Sequence, residues 1–356
     1  MRRLLISEFL FLFSAFMVRV SLTMTLSIIE WGIFPLSCFS PSAGAQLPPA
    51  QEETAKKEGE VVVYGAVVGQ ASRQIIELFE SRYGIKVNNW RGDAANVVNR
   101  VLPQAKSGKV LFDVILGNKI VMAALEQKGI LDSFAPPAAQ GFAKHFLDPE
   151  HAMTPWRALP FGINFNSDRL TPDRAPKTWE DLLDPKWRRK FVMPNPALHP
   201  PTLQFLLNLD KILGPKWLAV VEGWAKQRPQ LTRGFPEEIP LLTSGKAPLG
   251  ISYIKDKFQF AGPIDYVRMN RYLASLSFIS VARKAPHPNA ARLFTDFFLG
   301  PEPQQIFANL GEYVLHPEIE DRFRNEVRDE QMVVMRLPSE AERERWTKKF
   351  REMFKQ

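Results

Sequence analysis

The chain has 356 residues, a formal net charge of +8, 29 prolines, 26 phenylalanines and one cysteine. At about 150 residues per domain this length suits two domains, each with its own core. Apolar residues at 45% and charged residues at 24% are ordinary globular values and exclude wholesale disorder. A single cysteine excludes an intrachain disulfide framework and a cysteine-rich zinc site.

The first 45 residues read as an export signal. Arg2 and Arg3 make a basic start, and residues 4–34 are apolar apart from Glu8, Arg19 and Glu30. Within 4–34 the longest uncharged runs, 9–18 and 20–29, are well short of the ~20 apolar residues a spanning helix needs. They suit the apolar region of a signal peptide. Ser42-Ala43-Gly44-Ala45 supplies an A-x-A cleavage site, and Pro48-Pro49 beyond it reads as a mature tail. The competing readings are an uncleaved membrane anchor and a lipoprotein held through Cys38, whose preceding Pro35-Leu36-Ser37 is a poor lipobox. Translation from Met17 would leave a 29-residue signal with Arg19 as its basic region. Cleavage after Ala45 removes three basic and two acidic residues together with the only cysteine, leaving 311 residues with a net charge of +7. A cysteine-free chain suits an oxidising compartment, so a periplasmic location is expected.

Strands and helices then alternate. Residues 60–65 form a β-branched run ending in glycine, and 71–83 show helical spacing closed by Gly84. A second strand is expected at 85–90, a helix from Asp93 to Ala105 with Asp93 as N-cap, a third strand at 112–116 and a helix at 119–127. This order argues for an α/β fold with a parallel sheet, whose ligands bind at the carboxyl ends of the strands. The loops 65–69, 91–93 and 117–118 therefore become candidate site loops. A proline-rich stretch, 134–160, separates this unit from a middle region with helices at 179–183, 201–213, 216–228 and 237–244. Strands are expected there at 191–193 and 248–254. A strand at 275–281 and helices at 289–298, 302–310 and 339–354 complete the chain. Trp346, Phe350 and Phe354 recur every four residues and read as a docking face.

Motifs of chemistry are absent. The five histidines show no H-E-x-x-H pattern or close pair. There is no G-x-S-x-G elbow, no G-x-G-x-x-G after the first strand, and no P-loop around Ser244-Gly245-Lys246. No catalytic residue, metal site or cofactor is assigned. The basic residues are interleaved with acidic ones, which argues against nucleic acid and for an anionic solute or membrane surface.

Five stretches carry a family resemblance: 59–65 with 78–87; 112–114 with 125–131; Pro176-Lys177-Thr178-Trp179-Glu180-Asp181-Leu182-Leu183-Asp184-Pro185-Lys186-Trp187-Arg188-Arg189-Lys190; 242–250; and 285–297. In these the chain resembles the class II periplasmic solute-binding proteins of ABC importers, specifically the ferric-iron-type branch of the family-1 extracellular solute-binding proteins. The resemblance implies two α/β lobes that close on a solute, a monomeric receptor and an inner-membrane ABC permease as partner. It implies crossings near 162–166 and 267–277. The implied division is 46–163 for lobe one, 164–274 for lobe two, and 275–356 returning to lobe one with the C-terminal helix. The resemblance also implies a tyrosine pair after the lobe-two strand in ferric binders. Here Tyr253 fits the first position, but Ile254 replaces the second, which directs the reading from ferric iron toward a small organic anion. The expected ligand-binding residues are Gly65, Ala66, Arg91, Gly92, Gly117, Asn118, Asn164, Asn166, Ser252, Tyr253 and Lys255, with Lys257 a further candidate cation. Asn164 and Asn166 alternatively bridge backbone at a crossing, and Arg91 and Lys255 are alternatively plain surface charges. The rival class is a secreted enzyme on a two-lobed α/β scaffold.

Overall fold

A computed structural model describes residues 47–65, 69–320 and 322–355. The proposed signal with Met17 and Cys38, and Ala66 of the first candidate loop, lie outside the described residues. Among those residues, no helix is long and apolar enough to cross a membrane.

The chain begins with α1 (Pro49–Glu58), β1 (Glu60–Gly65), α2 (Gly69–Tyr83), β2 (Lys86–Arg91), α3 (Ala94–Lys106), β3 (Val114–Asn118) and α4 (Lys119–Glu126). Where Pro48-Pro49 reads as a tail, a helix starts instead. Proline is well suited to the first helical turn, where its missing N–H is not needed. The N-caps follow the sequence: Asp93 accepts from Asn96 N at 2.8 Å and Asn118 from Val121 N at 3.1 Å.

Next comes β4 (Thr154–Asn166), a 13-residue strand that emerges from the proline-rich stretch expected to be a separator. Pro155 and Pro160 hide it from a composition reading. One borders a β-bulge, and Pro160 still contributes its carbonyl, accepting from Ile254 N at 3.0 Å. The middle region holds β5 (Phe191–Pro194), α5 (Pro200–Leu206), α6 (Asp210–Leu213), α7 (Trp217–Lys226), β6 (Gln230–Thr232), α8 (Ile239–Thr243), β7 (Leu249–Tyr253), α9 (Asp256–Gln259) and β8 (Ile264–Tyr266). The helix expected at 179–183 is only a 3-10 turn, halted by Pro185. The chain ends with β9 (Tyr272–Val281), α10 (Pro288–Leu299), α11 (Pro301–Asn309), β10 (Tyr313–Val314), α12 (Arg322–Glu326), β11 (Met332–Val334) and α13 (Glu340–Met353).

The strands form one curled sheet in the order β2-β1-β3-β9-β4-β7-β5-β6, with β10 and β8 on β4 and β11 on β9. It is mixed rather than parallel throughout. β1 runs parallel to β2 and β3, but β9 lies antiparallel between β3 and β4. Two large apolar cores flank the sheet. β4 serves both: Trp156 and Ala158 belong to the first, Phe161, Ile163 and Phe165 to the second. β11 also lies between them, Met332 packing in the first core and Met335, just past its end, in the second.

The aromatic stripe of α13 docks as its spacing predicts. Phe350 is fully buried, Phe354 nearly so, and Trp346 packs 5.2 Å from Trp217. These rings join the second core. Phe350→Ala should therefore lower unfolding stability by about 3–5 kcal/mol. An unchanged urea midpoint would show that the helix is not part of that core.

Candidate functional site

A cleft of about 580 Å³ opens between the two cores. Its walls include Leu116, Trp156 and Phe278 of the first core and Tyr253 and Met335 of the second. The strand ends supply part of it, as expected for an α/β sheet. Gly92 and Ala94 come from the start of α3, and Gly117, Asn118 and Lys119 from the start of α4.

A local irregularity in β4 builds the polar floor. Pro155 pairs with Phe278 and Arg157 with Ser277, so Trp156 is an extra residue in the ladder. Such a bulge re-aims the side chains beside it. Arg157 Nε donates to Ser277 Oγ at 3.1 Å, the guanidinium lies 4.6 Å from the Trp156 ring centroid, and Nη1 is 2.7 Å from Glu312 Oε1. Glu312, fully buried, also accepts from Lys255 Nζ at 3.0 Å and Gln259 Nε2 at 3.0 Å. Burial alone would raise its pKa, but Arg157 and Lys255 hold the carboxyl below the ordinary value.

β9 contributes two hydroxyls at alternate positions, which share a face of the strand. Ser277 fixes Arg157, while Ser275 Oγ lies 3.4 Å from the Tyr253 hydroxyl. Tyr253 packs against Phe161 and Phe235 at 4.5 and 4.6 Å between ring centroids. Burial pushes its phenol up to about 12, so it is neutral at pH 7.

Four of the expected residues, Gly92, Gly117, Asn118 and Tyr253, meet in the cleft. The others described do not line it. Gly65 is needed where β1 approaches β3, since a Cβ there would lie 2.3 Å from Leu116 O. Arg91 is exposed beside the start of α2. Asn164 is fully buried and donates to Ser252 Oγ at 2.7 Å and Tyr253 O at 3.1 Å. Asn166 donates to Leu242 O at 2.6 Å and accepts from Asp168 N and Arg169 N. Both therefore brace backbone. Ser252 donates to Asp256, whose carboxyl burial raises to about 6. Lys255 is neither ligand-facing nor a surface charge but part of the Glu312 cluster, and Lys257 is tied to Glu326 at 2.7 Å. Ile254 is fully buried in the first core.

Arg157, Ser275, Ser277, Lys119 and Arg336 line the cleft without having been picked out in the sequence. A cation flanked by prolines in 154–160 was the available signal for Arg157. The lining carries three cations, Lys119, Arg157 and Arg336, and one acid, Asp148; the cations face Asp148 at 3.9 Å, Glu312 at 2.7 Å and Glu342 at 2.8 Å respectively. Among the described residues, no group of three or more His, Cys, Asp or Glu is placed to hold a metal ion.

The fold and cleft match a known class. Residues 110–331 match the model of the bacterial extracellular solute-binding proteins, well over half of the chain, and the chain belongs to that family. A probable ABC transporter periplasmic-binding protein, y4fP of Sinorhizobium fredii, is 23% identical over 159 residues, 43% of this chain and 44% of that protein. The match thus spans less than half the length of that curated relative. Among solved structures, the substrate binding protein of an ABC transporter from Agrobacterium tumefaciens superposes with a TM-score of 0.68 at 14% identity, covering 83% of this chain and 94% of that one. AfuA from Actinobacillus pleuropneumoniae, with fructose-6-phosphate bound, gives 0.63 at 18% identity over 83% and 98%. Iron-bound HitA from Pseudomonas aeruginosa gives 0.64 at 16% over 83% and 99%. At such identities these structures establish the fold alone.

Removing the buried anion should be costly. Glu312→Gln is expected to destabilise by about 3–5 kcal/mol, since it leaves two cations without their partner. Glu312's pKa is depressed on folding from 4.5, so its contribution is complete above that value and is lost as pH falls through the lowered folded value. Chemical denaturation between pH 3 and 7 should show a shallower acid decline in the variant, and parallel profiles would argue against the pairing.

Proposed function

We propose that this protein is a periplasmic receptor that captures a small organic anion and delivers it to an ABC-type permease of the inner membrane. The observation that carries the reading is Arg157. It is a guanidinium fixed at the cleft floor by Ser277 and Glu312, with Nη2 taken by no protein group among the described residues. Arginine in such a setting recognises carboxylate or phosphate through its planar donor fork. Family membership supports the receptor role, and the AfuA likeness makes phosphorylated sugars a reasonable part of the search.

Ferric iron fits less well. A pair of phenolates would neutralise a small, highly charged cation, but Tyr253 stands alone and its phenol is held neutral by burial. The neighbouring position is an isoleucine sealed in the first core. We further propose that the lobes correspond to the two cores, divided near residues 163 and 275 as expected from the sequence, with α13 assigned to the second because its rings pack there. An export signal cleaved after Ala45 and a monomeric state complete the proposal. An enzyme on the same scaffold is the competing reading, and turnover of a bound solute would establish it.

A ligand bound only by the folded state raises the melting temperature. Screening the purified protein against fructose 6-phosphate, citrate, phosphonates and ferric citrate should give stabilisation by an organic anion without turnover. Arg157→Gln should weaken that binding by about tenfold or more, the scale of a lost charged hydrogen bond. A coloured, one-to-one ferric complex would overturn the preference for an organic anion.

A further inference from the structure

We propose that Arg336 is a second anion-binding residue of the cleft, held by the internal carboxylate of Glu342 until the solute's own anionic group replaces it. The inference rests on the anion reading above and adds the second half of the clamp. Arg336 lines the cleft with Met335 and Leu337. On the wall formed by Pro201, Gln204, Tyr253 and residues 335–337, it is the one cation among the described lining residues. Arg157 and Lys119 come from segments whose neighbours Trp156, Ala158 and Val121 pack in the first core, whereas Met335 beside Arg336 packs in the second, so a solute in the cleft would meet cations from both.

The backbone of Arg336 is anchored while its side chain is not. Its N–H donates to Asn208 Oδ1 at 2.8 Å, and its carbonyl accepts from Asn208 Nδ2 and Gln204 Nε2, each at 3.1 Å. The side chain is 41% exposed and pairs with Glu342 through two bonds, Nη1 to Oε2 at 3.0 Å and Nη2 to Oε1 at 2.8 Å. This is the fork geometry by which arginine takes any carboxylate or phosphate. An exposed pair of this kind adds little stability, so exchanging its anion costs little.

Glu342 can lose Arg336 without being stranded. It sits in the first turn of α13, where its Oε2 accepts from Ser339 N at 2.9 Å, and Ser339 Oγ accepts in return from Glu342 N. The capping box and the helix N-terminus continue to stabilise its charge. Residues 332–337 also follow the stretch matched by the family model, which ends at 331.

Affinity for fructose 6-phosphate and for citrate should be measured by calorimetry in the wild type, Arg157→Gln, Arg336→Gln, Arg336→Lys and Glu342→Gln, with melting temperatures alongside. Exchange predicts opposite signs. Arg336→Gln should weaken the bound probe about tenfold, Arg336→Lys should weaken it less, and Glu342→Gln should tighten it by freeing the fork. If the pair only braces α13, both glutamine variants will lower the melting temperature and leave affinity unchanged, and the inference fails. If Arg157→Gln abolishes binding while all Arg336 variants bind as wild type, the inference fails and the receptor reading stands. If neither probe binds the wild type, the anion reading fails and takes this inference with it.

Discussion

The buried ion cluster of Arg157, Glu312 and Lys255 is the constraint around which the cleft is organised. It ties the bulge of β4, the residue preceding β10 and the turn after β7 to one carboxylate. Desolvating such charges is expensive unless they compensate one another. Here two cations face Glu312 and, through its neighbour Ser252, the mostly ionised Asp256. The nearby Glu238 is fully buried with neither oxygen partnered, and burial raises its pKa well above the ordinary value.

β9 links the two sides of this arrangement. Its alternating serines contact two cleft-lining side chains, Ser277 the guanidinium of Arg157 and Ser275 the phenol of Tyr253. A strand that traverses two cores normally presents apolar residues to both. Small hydroxyls at these two positions leave space for a solute and satisfy the groups that border it. Burial among its aromatic neighbours, acting against the Ser275 contact, raises the Tyr253 pKa and keeps it a neutral hydrogen-bonding phenol.

Much of the fold could be read from sequence because its elements carry local signals. β1 was placed at its full extent by Val61 to Val63 and Gly65, and Asp93 and Asn118 mark the starts of α3 and α4. The site was harder, because its chemistry depends on contacts distant in the chain. Arg157 meets Glu312 across more than 150 residues, and no spacing rule connects them. Glycines near strand ends line the cleft where the backbone itself forms the wall, as at Gly92 and Gly117. Asn164 and Asn166 take the alternative read for them from the sequence, their amides satisfying buried backbone. Prolines concealed β4, although a bulge and a carbonyl-only role accommodate both of them. The chain direction of β9 was equally unavailable, since antiparallel insertion into a parallel unit is decided by which cores its faces complete.

The chain passes between the cores along β4, β9 and β11. α1 and α13 finish on different cores: Ala55 packs in the first and Phe350 in the second. A donor dye on α1 and an acceptor on α13 would thus report the distance between the two cores. The topology itself supplies the layout of an optical sensor, with no label near the solute.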